Sequence, residues 1–346
     1  MLFRSVWRNE RYADLRQGVS VRRGALLAAC VALICSVLAV YSAIAVMNSP
    51  GPSPGAVVVV ERGTSTRTIV RRLIDSGAID VPDWLVMVWL RLGVDRGPLQ
   101  AGEYSIRSGS SAVEVLDLIR SGTVVQHRIT LAEGLTARQW LERLADDRLS
   151  QQRGDREVAT LLGTDDPIEG WLFPDTYQFT SGTSDIDILR RAYRRAREVL
   201  RSEWEDRDPG LPLDNPYEAL VLASVVEKET GLASDRRRVA QVFVNRLKLG
   251  MRLQSDPTVI YGIADFDGDL RRSDLRRDGP YNTYMRHGLP PTPICNPGLA
   301  AIRAVLHPEP GDFLYFVARG DGSSQFSRTL EEHNRAVRKY QLGGGG

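Results

Sequence analysis

The alternation of apolar and polar positions divides this chain into three stretches. Residues 24–47 carry no charge and follow Arg22-Arg23. An uncharged run of this length predicts one helix long enough to cross a bilayer. Residues 57–150 alternate short apolar segments with helical periodicity. Further on the helices lengthen, and residues 219–226 hold seven apolar side chains and Ser224. A helix apolar on every face predicts burial on nearly every face.

The middle stretch repeats one unit. Val57-Val58-Val59-Val60 leads through Gly63-Thr64-Ser65 to Ile69, Val70, Leu73 and Ile74. Tyr104-Ser105-Ile106 leads through Gly109-Ser110-Ser111 to Val113, Val115, Leu116 and Ile119. Ile129-Thr130-Leu131 leads through Gly134-Leu135-Thr136 to Trp140, Leu141 and Leu144. Each copy reads as strand, glycine turn, hydroxyl N-cap and helix. Three copies predict a small α+β module over 57–150. The Gly-x-[Ser/Thr] start of the helices resembles LysM domains, which bind N-acetylated glycans; a positioning stalk without a ligand is the alternative.

Charge sets the orientation. Residues 1–23 hold six arginines against Glu10 and Asp14, so they carry +4 of a chain whose net charge is +2. Positive flanks stay cytoplasmic, which places the rest of the chain outside. Ala43-Ile44-Ala45 would suit a cleaved signal peptide, but the long basic flank favours an uncleaved anchor. The expected organisation is a cytoplasmic tail (1–23), a transmembrane helix (24–47), a Pro/Gly/Ser linker (48–56), the membrane-proximal module (57–150), a catalytic domain (151–342) and a flexible tail (343–346). The exported part nets −2 and offers no strong field for nucleic acid. Only Cys295 among three cysteines lies outside the span, so no intramolecular disulfide forms there. His127, His287, His307 and His333 show no metal-ligand spacing, and no cofactor is expected. Asp265, Asp267 and Asp269 miss the glycine and closing glutamate of a calcium loop.

The distal chemistry centres on the apolar helix. Asn215 reads as its N-cap, Pro216 as its first residue, Glu218 as a complement to its positive end and Gly231 as its stop. The helix delivers Glu227 one turn beyond Ala223 and Ser224. A carboxyl at the end of a buried helix, opening on a cleft, holds its proton towards neutral pH, as a general acid must. Glu229 lies about 200° further round and is expected outside that pocket. The plainer reading makes Glu227, Lys228 and Glu229 a solvated last turn. Around this helix stand aromatic Trp171, Phe173 and Tyr177, a helix over 235–249 stopped by Gly250, and a proline-stiffened run from Gly288 to Gly298.

These segments resemble a known family. Glu169-Gly170-Trp171-Leu172-Phe173-Pro174-Asp175-Thr176-Tyr177, Ala223-Ser224-Val225-Val226-Glu227-Lys228-Glu229-Thr230, Gly250-Met251-Arg252-Leu253-Gln254-Ser255-Asp256-Pro257-Thr258 and Tyr281-Asn282-Thr283-Tyr284 are similar to the membrane-anchored endolytic peptidoglycan transglycosylases of the MltG/YceG-like family. The resemblance covers about residues 57–340. It implies an α+β catalytic domain with a lytic-transglycosylase-like cleft, peptidoglycan glycan strands as substrate, a single-pass plasma-membrane location and peptidoglycan synthases as partners. It implies that Glu227 is the catalytic acid, protonating the bond between N-acetylmuramic acid and N-acetylglucosamine. The resulting carboxylate would accept the proton of the muramyl C6 hydroxyl, which closes on C1 to give a 1,6-anhydro end. Gln254, Tyr281 and Asn282 would position the sugar, Trp171 or Tyr177 would stack on it, and Asp256 is the candidate second carboxylate. A hydrolytic muramidase, which needs two carboxylates, and a non-catalytic tethered glycan-binding scaffold are the alternatives.

Overall fold

A computed structural model describes residues 6–51, 54–93, 97–152, 158–164 and 167–342. The tail 343–346 lies outside the described residues. The fold is mixed α+β and divides into two units, 1–125 and 126–346.

The first unit begins with helix α1 (Val6–Asn48). Its Ala25–Asn48 part is long and apolar enough to cross a membrane. Then come β1 (Ala56–Val60), α2 (Thr66–Asp75), α3 (Asp83–Leu92), β2 (Gly102–Ile106) and α4 (Ala112–Ser121). The valine run of β1 alternates as a half-buried strand must: Val58 and Val60 face the core, while Val57 and Val59 are exposed. β1 pairs antiparallel with β2, setting Val58 opposite Tyr104. Ser65 caps α2, and Ser111 with Glu114 forms a capping box on α4. Ile69, Leu73, Tyr104, Leu116 and Ile119 close the core, which Met47 at the end of α1 also joins.

The second unit contains β3 (His127–Leu131), α5 (Ala137–Arg143), α6 (Val158–Leu162), β4 (Asp175–Phe179), α7 (Asp185–Glu205), α8 (Pro216–Glu229), α9 (Ala233–Lys248), α10 (Asp256–Tyr261), α11 (Arg272–Arg276), α12 (Leu299–Leu306), β5 (Tyr315–Ala318), β6 (Ser324–Ser327) and α13 (Leu330–Val337), followed by a π-helical turn at Arg338–Leu342. All three expected strand–turn–helix copies form, but the third, β3–α5, falls in this unit. β3 pairs antiparallel with β4, with Ile129 opposite Tyr177, and both strands bury their apolar face against Trp140, Leu172 and Leu189. The division therefore falls at 125/126, not at the expected 150/151.

A second core surrounds α8. Asn215 caps it, accepting the Glu218 backbone N–H, and Pro216 opens it as expected. Residues 219–226 are all buried, against α7, α9 and α12. The stop differs from expectation: Thr230 turns extended (φ −146°), so it ends the helix ahead of Gly231. Ser224, the one polar residue of the apolar run, is also the tie to the proline-stiffened loop. Its hydroxyl accepts the Ile294 N–H at 2.9 Å and donates to the Val221 carbonyl at 2.7 Å. The buried Cys295 thiol donates to the Ser224 carbonyl at 3.3 Å. Asn296 finishes the loop: its Oδ1 accepts the Leu172 N–H at 3.0 Å, and its Nδ2 donates to the Leu135 carbonyl at 3.1 Å.

Candidate active site

Two glutamates leave the end of α8 on different sides, about 200° apart. Glu227 is half-buried, and its Oε2 accepts the Gly298 backbone N–H at 3.0 Å. Gly298 is the N-cap of α12, so this carboxylate sits at the positive end of a helix and satisfies one of its orphan donors. Burial raises the Glu227 pKa; the Gly298 hydrogen bond opposes that rise and the neighbouring Glu133 carboxylate adds to it.

Glu229 points to a different neighbourhood. Ser255 donates its hydroxyl to Glu229 Oε1 at 2.5 Å. Burial lifts the carboxyl to about 7, against the Ser255 hydrogen bond, and Asp256 pushes in the same direction as burial. A cleft of about 550 Å³ opens here, with Glu229, Arg246, Gln254, Asp256, Tyr284 and His333 on its walls.

The segment Gln254-Ser255-Asp256 reaches this cleft because α9 stops sharply. Gly250 takes a left-handed conformation (φ +65°). The Met251 N–H then bonds back to the Arg246 carbonyl at 2.8 Å, and the Gly250 N–H to the Leu247 carbonyl at 3.0 Å, the Schellman pattern. Gln254 is the one non-glycine residue with positive φ (+53°) among the described residues. Such a backbone costs on the order of 1–3 kcal/mol and gathers at functional sites. The buried Arg246 guanidinium holds it in place, donating to the Leu253 carbonyl at 2.7 Å and, through Nε, to the Leu314 carbonyl at 2.7 Å. The Gln254 N–H donates to the Thr283 carbonyl at 3.1 Å. Tyr284 donates its hydroxyl to Asp256 Oδ1 at 2.6 Å.

The arrangement is a protonatable carboxyl with a hydroxyl partner, a second carboxylate, and an amide side chain on a fixed backbone, all on one cleft. It can donate a proton near neutral pH and hold a polar ligand. A model of the YceG-like family matches residues 58–339. This chain belongs to the YceG-like family.

Relatives of this YceG-like chain carry an activity in their names. An endolytic murein transglycosylase of Bacillus subtilis is 33% identical over 267 residues, covering 70% of this chain and 73% of that protein. One of Streptococcus pneumoniae is 32% identical, covering 63% of this chain and 42% of its own length. A crystal structure of a yceG-like protein from Listeria monocytogenes matches with a TM-score of 0.52 at 28% identity, covering 81% of this chain and 98% of that one.

Within this YceG-like fold the site residues expected from sequence do not all meet. Gln254 and Asp256 come together, but with Glu229 and not with Glu227. Tyr177 is buried and donates its hydroxyl to the Phe173 carbonyl at 2.6 Å. It is a core residue between β4 and α7, closed to a sugar. Trp171 stacks on Tyr217 (centroids 6.1 Å apart) and lines a separate cleft with Tyr193 and Pro216. Tyr281 packs edge-on against Tyr261 (4.9 Å) and hydrogen-bonds Thr292 at 2.8 Å. Asn282 is buried; its Nδ2 donates to carbonyls of Asp274, Leu275 and Arg277, and its Oδ1 accepts the Tyr284 N–H. The Tyr-Asn pair therefore shapes a loop, and Thr283 and Tyr284 of the same motif do the reaching.

Glu229, Arg246 and Tyr284 line the candidate cleft, and Ser255 bonds Glu229 there, without having been expected to; sequence reasoning sets Glu229 outside the pocket. The signal was present: an apolar helix can present a carboxyl on either side of its last turn, and the loop that carries Gln254 chooses the side. Glu169 is a further buried carboxyl, accepting the Ala137 N–H at 2.9 Å and the Tyr261 hydroxyl at 3.2 Å. Burial lifts it to about 7. It borders a second cleft of about 810 Å³ with Thr136, Arg138, Lys228 and Ile260.

Proposed function

We propose that this chain is a membrane-anchored endolytic murein transglycosylase whose catalytic acid is Glu229. The observation that carries the assignment is the meeting of Glu229 with Ser255, Gln254, Asp256 and Tyr284 on one cleft, with the carboxyl held near 7. Glu229 would protonate the glycosidic oxygen between N-acetylmuramic acid and N-acetylglucosamine. The carboxylate then accepts the proton of the muramyl C6 hydroxyl as that oxygen closes on C1, so a 1,6-anhydro end forms and no water is consumed. One group serves as acid and then as base, for which a midrange pKa suits both steps. Asp256, fixed by Tyr284, would stabilise the positive charge that develops at C1, and Gln254 would bond the sugar.

The basic flank of α1 supports an N-terminus in the cytoplasm, with the chain that follows α1 outside. Held there, the enzyme meets new strands near the membrane and would end their growth beside peptidoglycan synthases. The strand–turn–helix pairs β1–α2 and β2–α4 suit a LysM-like glycan contact.

Cleavage of purified glycan strands, read by mass spectrometry, tests the reaction: anhydro ends are expected. Asp256 beside Glu229 supplies the pair that a hydrolase needs, so ordinary reducing ends would replace the cyclisation with hydrolysis. Glu229→Gln is expected to lower cleavage by at least ~100-fold, the usual contribution of a general acid. Glu227→Gln, the acid expected from sequence, should leave cleavage within a few-fold. The reverse outcome would return the role to Glu227.

A further inference from the structure

Three arginines of α7, at 194, 197 and 201, are spaced three and four apart and so share one helix face. That face forms a wall of a cleft of about 510 Å³ whose other residues include Trp171, Tyr193, Pro216 and Glu198, one carboxylate against the three guanidinium groups. Elsewhere on α7 the arginines are partnered. Arg195 pairs with Glu198 at 4.0 Å, Arg190 with Asp187 at 3.5 Å, and Arg191 donates to the Gln178 carbonyl at 2.8 Å. Among the described residues, Arg194, Arg197 and Arg201 have no carboxylate within 4.0 Å; Arg197 lies over the Tyr193 ring at 5.7 Å. Like charges three and four apart on a helix repel each other. The indole N–H of Trp171 is buried with no acceptor among the described residues, which native structures rarely leave unexplained. A concave face with three guanidinium groups against one carboxylate, and with aromatic walls, suits a ligand that brings planar oxyanions.

We propose that this cleft binds the carboxylates of the peptide stems on the glycan strand, a subsite separate from the reacting sugar. α8 has 14 residues, so the cleft, at its first residue, stands about 20 Å along the axis from Glu229. A polymer can occupy both at once, whereas a single sugar cannot. Stems would make the enzyme favour strands whose peptides are intact, and the arginines would supply the preference through salt-sensitive attraction. This inference rests on the murein reading above.

The test is equilibrium binding of the full-length Glu229→Gln chain in detergent, with and without Arg194→Gln, Arg197→Gln and Arg201→Gln. Two ligands are compared: strands with intact stems and strands stripped by an amidase. The triple variant is expected to bind intact strands about ten-fold more weakly, as three exposed ion pairs allow. It should bind stripped strands unchanged and lose the salt dependence. Glutamine keeps helix propensity, so the thermal midpoint should hold; if it falls, Arg197→Gln alone is expected to weaken intact-strand binding about two-fold. Equal loss on both ligands, or none on intact strands, overturns the proposal. So does a loss seen only on stripped strands that keep a terminal lipid pyrophosphate. Failure of the wild-type chain to cleave strands would instead count against the murein reading, and this binding assay does not depend on cleavage.

Discussion

At the scale of single residues, burial and strain separate groups built for chemistry from groups built for the fold. Gln254 is the proposed example of the first. Its left-handed backbone is held by Arg246 and by the Thr283 carbonyl, and glycine would adopt it without penalty. Gln254→Gly is therefore expected to raise stability by about 1 kcal/mol while lowering kcat/KM. Thermal unfolding and strand cleavage on the same protein check this; a drop in both would make Gln254 a packing residue. Glu169 illustrates the second. Its folded pKa of about 7 exceeds its ordinary value of 4.5, so between these values the folded state binds more protons than the unfolded one. Stability then falls as pH rises from about 4.5 to about 7, by on the order of 3 kcal/mol (~2.5 pH units at ~1.4 kcal/mol each). Glu169→Gln is expected to flatten that decline, leaving a smaller change in melting temperature between pH 5 and pH 8. An unchanged slope would show that other groups cause it. For Glu229 the same rise bears on the proposed reaction: with Glu229 as the acid the protonated form acts first, so cleavage should fall as pH passes above about 7.

At the scale of elements, α8 decides where the chemistry stands. Its helix is fixed by Asn215 and Pro216 and by an apolar run that three helices enclose. Asn215→Ala is expected to cost about 1 kcal/mol, and Leu222→Ala, with its side chain fully buried, about 2–5 kcal/mol. Denaturant unfolding reads both, and a cost below 1 kcal/mol for Leu222→Ala would contradict an enclosed α8. Much of this was legible in sequence. Ser65, Ser111 and Thr136 announced three helices by their hydroxyls, and each is the observed N-cap. Gly250 announced the end of α9. What sequence could not give was the partner of each side chain. Glu227 and Glu229 share one apolar context, and only the return of the chain after Gly250 sets Gln254 beside Glu229. Tyr177 reads as a sugar platform because aromatic rings fill cores and bind sugars with the same surfaces, and local sequence does not say which face is covered.

At the scale of the whole molecule, the repeat misled about where the second unit starts. β3–α5 copies the pattern of β1–α2, yet it works for the other unit. Its strand supplies the one partner of β4 among the described residues, and Trp140 and Leu144 are wholly buried beneath it. The turn between them donates the Gly134 N–H to the Asn296 carbonyl at 3.0 Å, and α5 donates the Ala137 N–H to Glu169. A chain of residues 151–342 would lose all of these. It would expose the β4 edge, an invitation to aggregation, and take from the buried Glu169 carboxyl its Ala137 donor, leaving the Tyr261 hydroxyl, at a cost of about 1 kcal/mol. The loss of Trp140 and Leu144 packing adds several kcal/mol more, against a typical total stability of only about 5–15 kcal/mol. Residues 126–342 should therefore unfold cooperatively as an isolated protein and cleave glycan strands, while residues 151–342 should be insoluble or unfold without cooperativity. Circular dichroism melts of the two fragments decide it. A stable, cooperative 151–342 fragment would mean that the third copy is an accessory to the fold around α8 and not part of it.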